Sequence, residues 1–176
     1  MEQKSSLVFK IVVIGEELTG KSTLITTFSG FRPNWYLKYP GSSHLIPEFG
    51  IRLRKSAIQR KGSKAFSVFY QSAAGFLLIF SLCDRYSFTC LESWFDYFAE
   101  LRINTVNKLL VVGTKADLAE KREVSFEEVQ ELLSKYDLNY IELSANDINQ
   151  VELALGTLIN GIVLNYQLEA LNSTEP

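Results

Sequence analysis

The sequence predicts an α/β fold: a doubly wound, mostly parallel sheet with helices on both faces. Three observations carry that expectation. Apolar, β-branched runs recur along the chain. Helical patterns alternate with them, and a glycine-rich loop of phosphate-binding form joins the first run to the first helix.

Leu7–Ile14 (LVFKIVVI) is almost wholly apolar, as a strand buried on both faces of a parallel sheet must be. Residues 15–22 form the loop, and Thr23–Phe28 begins a helix. Gly50–Ile58 and Lys64–Tyr70 read as strands joined across Arg60-Lys61-Gly62 in an antiparallel hairpin. Phe76–Leu82, Leu109–Gly113 and Asn139–Leu143 are further buried runs. Phe88, Leu91, Phe95, Phe98 and Leu101 place one apolar face on a helix over Ser87–Arg102. Ser125 and Glu128 have capping-box spacing at the head of a helix over Phe126–Lys135, and Ile148–Leu168 is a long closing helix.

One connection breaks the pattern. Between Tyr70 and Phe76 only Gln71–Gly75 remain, and this short stretch reaches about 17 Å when extended. A parallel crossover normally takes a dozen residues or more. Either the strand at Lys64–Tyr70 is curtailed to supply the crossover, or the sheet order changes here.

Composition bounds the function. The 176 residues suit one domain, with 47% hydrophobic and 22% charged residues as in ordinary globular proteins. A net charge of −2 disfavours broad binding to nucleic acid or anionic membrane. Two cysteines, Cys83 and Cys90, provide neither a disulfide framework nor zinc spacing, which fits a cytoplasmic setting. No cysteine ends the chain, so the expectation is no direct membrane anchor.

Gly15-Glu16-Glu17-Leu18-Thr19-Gly20-Lys21-Ser22 matches G-x-x-x-x-G-K-[ST] in full. Backbone N–H groups of such a loop point at phosphates, and the helix N-terminus adds its dipole. Lys21 then reaches the β- and γ-phosphates and Ser22 ligates Mg²⁺. The competing reading is a plain turn with a solvated lysine. After the run at 109–112 comes Gly113-Thr114-Lys115-Ala116-Asp117, and after that at 139–143 comes Ser144-Ala145-Asn146.

On these motifs, with Ala74-Gly75-Phe76-Leu77-Leu78 and Asp84-Arg85-Tyr86-Ser87-Phe88, the chain resembles the Ras superfamily of small GTPases, closest to the Rab branch. The resemblance covers most of the chain and implies a single P-loop G domain over 1–176. Thr114, Lys115 and Asp117 match N/T-K-x-D. Ser144 and Ala145 match S-A-K, with Asn146 in place of the lysine. The Asp117 carboxylate can accept from guanine N1–H and N2–H₂, a pattern adenine does not offer. The resemblance implies that Lys115 covers the base and that the Ala145 N–H donates to guanine O6. The implied nucleotide-binding set is Gly15, Glu17, Leu18, Thr19, Gly20, Lys21, Ser22, Thr23, Thr114, Lys115, Asp117, Leu118, Ser144, Ala145 and Asn146. Ser22 is the one implied metal ligand, and no catalytic residue is assigned.

The sequence also departs from the family. No aspartate precedes Asp84 and no Gly-Gln pair occurs, so the switch II motif D-x-x-G-Q is missing and its helix is expected to be shortened or absent. Glu48 stands where the switch I threonine belongs; it is either a metal ligand or a solvated loop acid. Glu17 replaces a small residue near the γ-phosphate and would obstruct an arginine finger. Phe31 or Trp35 would cover the base edge-on or pack over the sheet. His44, the lone histidine, has no partners that suggest a metal or catalytic role.

Three functions compete: a Rab-like holder of GDP or GTP acting through protein effectors or regulators, a GTPase completed by a partner's catalytic groups, and an empty pseudo-GTPase. Mg²⁺ is expected to be weakly held or dispensable. A P-loop kinase or ATPase fails on Asp117 and Ala145.

Overall fold

The computed structural model describes residues 7–29, 37–38, 45–46, 49–55, 70–105 and 107–172. In chain order these form β1 (Leu7–Ile14), α1 (Lys21–Ser29), β2 (Leu37–Lys38), β3 (Leu45–Ile46) and β4 (Phe49–Lys55). There follow β5 (Gly75–Ser81), α2 (Arg85–Thr89), α3 (Leu91–Glu100), β6 (Leu109–Thr114), α4 (Phe126–Ser134), β7 (Asn139–Glu142) and α5 (Ile148–Asn172).

Five strands make one parallel sheet in the order β4-β1-β5-β6-β7. β2 and β3 form a separate antiparallel ribbon. The period-2 alternation of the strands sorts the core into two layers. Ile11 and Val13 of β1, with Leu77, Ile79, Leu110 and Val112, pack under Leu24 and Phe28 of α1 and Val151, Leu155, Leu158 and Ile162 of α5. Their sequence neighbours Val12, Ile14, Phe76, Leu78, Phe80 and Val111 face the other way. They meet Leu91, Trp94, Phe95 and Phe98 of α3 and Val129 and Leu133 of α4. Helices therefore cover both faces, as expected for a doubly wound sheet.

β4 runs parallel to β1, with Phe49 opposite Leu7 and Lys55 opposite Val13; of the strand expected to pair with it in a hairpin, only Tyr70 is among the described residues. Tyr70 lies in a helical turn and is buried beside Phe76 and Tyr97, so it ends no strand. Residues 64–69 lie outside the described set. Tyr70 and Gln71 are helical, so the strand expected to run to Tyr70 is curtailed there, one of the two outcomes the short connection allowed. The helix expected over Ser87–Arg102 starts earlier and is divided at Cys90. Its start is set by Asp84, whose carboxylate accepts from the N–H groups of Tyr86 and Ser87.

Candidate functional site

The predicted phosphate loop, residues 15–20, leaves the carboxyl end of β1 and delivers the chain into α1 at Lys21. Gly15 has φ +136°, and a Cβ there would sit 1.9 Å from the Ile79 carbonyl oxygen. Only glycine lets β1 end this close to β5. Gly20 has φ +91°, again a glycine conformation. Between them Leu18 adopts φ 59° despite its side chain, which is 88% exposed. Glu17 is exposed beside it.

Polar side chains inside the loop turn inward. The Lys21 ammonium is buried, donating to the Glu16 carbonyl and, at 3.3 Å, to the Thr19 hydroxyl. That hydroxyl donates to the Glu16 carbonyl at 2.8 Å. Ser22 and Thr23 face solvent at the head of α1.

The two other predicted motifs lie at the carboxyl ends of β6 and β7, on the same edge of the sheet. Thr114 is fully buried at the end of β6, its hydroxyl 2.6 Å from the Thr19 carbonyl and 2.9 Å from that of Phe80. Lys115 has φ 63° and is half-buried, while Asp117 and Leu118 are exposed. The Ala116 N–H donates to the Leu143 carbonyl, and the Leu143 N–H to the Gly113 carbonyl, so the two loops leave their strands together. Ser144 and Ala145 are buried and Asn146 is exposed. The Ala145 methyl lies 3.7 Å from where a Cβ on Gly20 would be. Three segments distant in sequence thus meet in one place.

Several supporting residues escaped the sequence reading. The Thr27 hydroxyl on α1 donates to the Ala145 carbonyl at 2.7 Å. Gln150 accepts from the Ser144 N–H at 2.8 Å while its amide donates to Asp147, the residue capping α5. The Asp147-x-x-Gln150 spacing is a capping signature and was the one available signal. The Cys83 thiol lies 3.7 Å from the Leu118 carbonyl, under the loop after β6. Arg122 grips Glu142 with two bonds of 2.8 and 2.6 Å, and the Tyr140 hydroxyl donates to the same carboxylate. Arg122 holds the Glu142 carboxyl below its usual range. Burial raises the Tyr140 hydroxyl, and its bond to Glu142 adds to the rise.

Expectations for Phe31, Trp35, His44 and Glu48 fall on residues outside the described set. Asp84, the first aspartate of the chain, is occupied as the cap of α2.

The Ras family model matches residues 50–164. Ras-related protein Rab-11B of Dictyostelium discoideum is 34% identical, the match covering 87% of this chain and 73% of that protein. RABA5c of Arabidopsis thaliana is 31% identical over 98% of this chain and 84% of its own length. The chain belongs to the Ras family. Human Rab-25, 28% identical over 98% of this chain, agrees with placing this Ras-family protein near the Rab branch. It is a small GTP-binding protein whose cofactor class is GDP or GTP with Mg²⁺.

The residues present fit such a nucleotide. The two positive-φ glycines and the anchored Lys21 shape a loop that can wrap phosphates at a helix N-terminus. The Thr114 hydroxyl ties the loop to the end of β6.

Proposed function

We propose that this Ras-family chain holds guanine nucleotide, hydrolyses GTP poorly or not at all, and acts by presenting a surface to protein effectors or regulators. The supporting observation is an imbalance. The phosphate loop, the Thr114 brace and the Ser144-Ala145 turn are tied into one unit, whereas no aspartate precedes Asp84 and no Gly-Gln pair exists.

In this reading the backbone of residues 15–20 and Lys21 hold the phosphates, with Glu17, Leu18 and Thr23 at the rim. Asp117 accepts from the guanine N1–H and N2–H₂, the Ala145 N–H donates to O6, and Lys115 and Leu118 flank the base with Asn146 at its edge. Ser22 is the Mg²⁺ ligand. The ion, when bound, screens phosphate charge. The chain lacks the aspartate that usually supports Mg²⁺, so nucleotide binding depends on the metal less than is usual. Without the glutamine that orients water, and with Glu17 in the path of an arginine finger, the transition state gains little stabilisation.

Single-turnover hydrolysis of GTP by the purified protein tests this. We expect a rate below the roughly 10⁻⁴ s⁻¹ of an unassisted small GTPase. A rate equal to that of an intact family member overturns the proposal. GDP affinity with and without chelator tests the metal claim, and a large loss on chelation counts against it. Among the described residues no helix is long and apolar enough to cross a membrane.

A further inference from the structure

We infer that Thr27, a helix α1 residue outside every nucleotide-binding motif, is a positioning residue for guanine, orienting the Ala145 backbone through its carbonyl. The inference rests on the guanine reading above and names a further residue on which that reading depends.

Threonine inside a helix ordinarily returns its hydroxyl to a carbonyl of its own helix, one turn back. Thr157 of α5 does so, donating to the Leu153 carbonyl at 2.9 Å. Thr27 does not. Its hydroxyl leaves α1 and donates at 2.7 Å to the Ala145 carbonyl. The target belongs to a three-residue turn whose backbone is fastened at successive points. The Ser144 N–H is held by Gln150 at 2.8 Å, and the Asn146 N–H by the Ser144 hydroxyl at 3.4 Å. Thr27 holds the carbonyl of the Ala145–Asn146 peptide, the same peptide whose N–H is bonded to Ser144. Both polar groups of that peptide are therefore engaged, and its plane is fixed.

One group of the turn stands apart. Among the described residues the Ala145 N–H has no acceptor, although Ala145 is only 6% exposed. A peptide plane fixed on one side of Ala145 and a bonded Ser144 N–H on the other fix the direction of that donor. Since α1 begins at the phosphate loop, Thr27 also links the helix that carries Lys21 to the turn that meets the base. The guanine O6 is the acceptor that this donor suits.

The test compares GDP with the diphosphate of 2-aminopurine riboside, which lacks the 6-oxo group and the N1–H but keeps the N2–H₂ for Asp117. Binding of both to wild type, Thr27→Val and Thr27→Ser is measured by equilibrium titration. We expect Thr27→Val to weaken GDP binding about fivefold, the loss typical of one hydrogen bond. Binding of the analogue should stay unchanged, and Thr27→Ser should restore GDP binding. An equal loss for both ligands, or none for either, overturns the inference while leaving the guanine reading intact. A wild-type protein that does not prefer GDP to the analogue overturns both. Should Thr27→Val not fold, Thr27→Ala removes the same donor and is read by the same criteria.

Discussion

The hydroxyl of Thr114 lies 2.6 Å from the carbonyl oxygen of Thr19, joining two residues that are 95 positions apart. It fastens the phosphate loop to the end of β6, just before the loop that carries Asp117. The same oxygen is 2.9 Å from the Phe80 carbonyl, so one short side chain on β6 links the phosphate loop and β5. Replacing it with valine keeps the shape and removes the donor. The hydroxyl's single proton is shared between two buried carbonyls, and its loss costs about 1–3 kcal/mol. Thr114→Val should lower the urea midpoint and weaken GDP binding by about tenfold, while Thr114→Ser stays near wild type. Chemical unfolding and nucleotide titration of the two variants check this.

The glycines give a second, sharper contrast. Gly15 combines φ +136° with a Cβ position 1.9 Å from the Ile79 carbonyl oxygen, a backbone atom that has no rotamer in which to retreat. Gly156 sits within α5 with nothing within 4 Å of its added Cβ. Gly15→Ala should prevent accumulation of folded protein. Gly156→Ala should stabilise it by about 0.5–1 kcal/mol, because alanine favours the helix and restricts the unfolded chain. Expression yield and thermal melts of the pair separate the two outcomes.

Much of this was legible in the sequence, for a physical reason. Strands buried on both faces must be apolar almost throughout, so β1, β5 and β6 announce themselves, and Ser125 with Glu128 forms the capping box that the spacing suggested. The motifs at 15–22 and 114–117 could be placed because each follows such a strand; β7, before 144–146, is exposed or half-buried along its length rather than the buried run expected. The pairing of β4 could not be placed. Its composition suits a parallel or an antiparallel neighbour equally, and register is decided by which strand lies beside it. Thr27 and Arg122 were hidden for a related reason. Their partners, Ala145 and Glu142, are distant in sequence, and no local period marks such a contact.

Acid should loosen the far side of the sheet. Glu128 is held at about 2, first by its hydrogen bond to Arg85 and then by the Ser125 backbone, and Arg122 lowers Glu142 in the same direction. A carboxyl whose folded pKa lies below its unfolded value, 4.5 for Glu128, adds stability that is complete above that value. The contribution is lost as pH falls through the folded pKa, which for Glu128 means the range from about 4.5 down to about 2. Urea unfolding from pH 7 to pH 2 should show stability falling through this window. In Glu128→Gln the acid-side slope should be shallower, and an unchanged slope would refute the assignment.

Leu18 stands at φ 59°, where a side chain crowds the backbone and glycine does not, and that side chain is 88% exposed with little packing to offset the strain. A left-handed conformation costs a non-glycine residue roughly 1–2 kcal/mol. Part of that cost should return on replacing Leu18 with glycine, reduced by the greater freedom glycine has in the unfolded chain. Leu18→Gly should therefore match or exceed wild-type stability. Leu18→Val, β-branched and less tolerant of positive φ, should lose about 1 kcal/mol or more. The ordering glycine, leucine, valine in urea midpoint is the signature of backbone strain. The reverse order would instead mean that the exposed side chain contributes through contacts of its own.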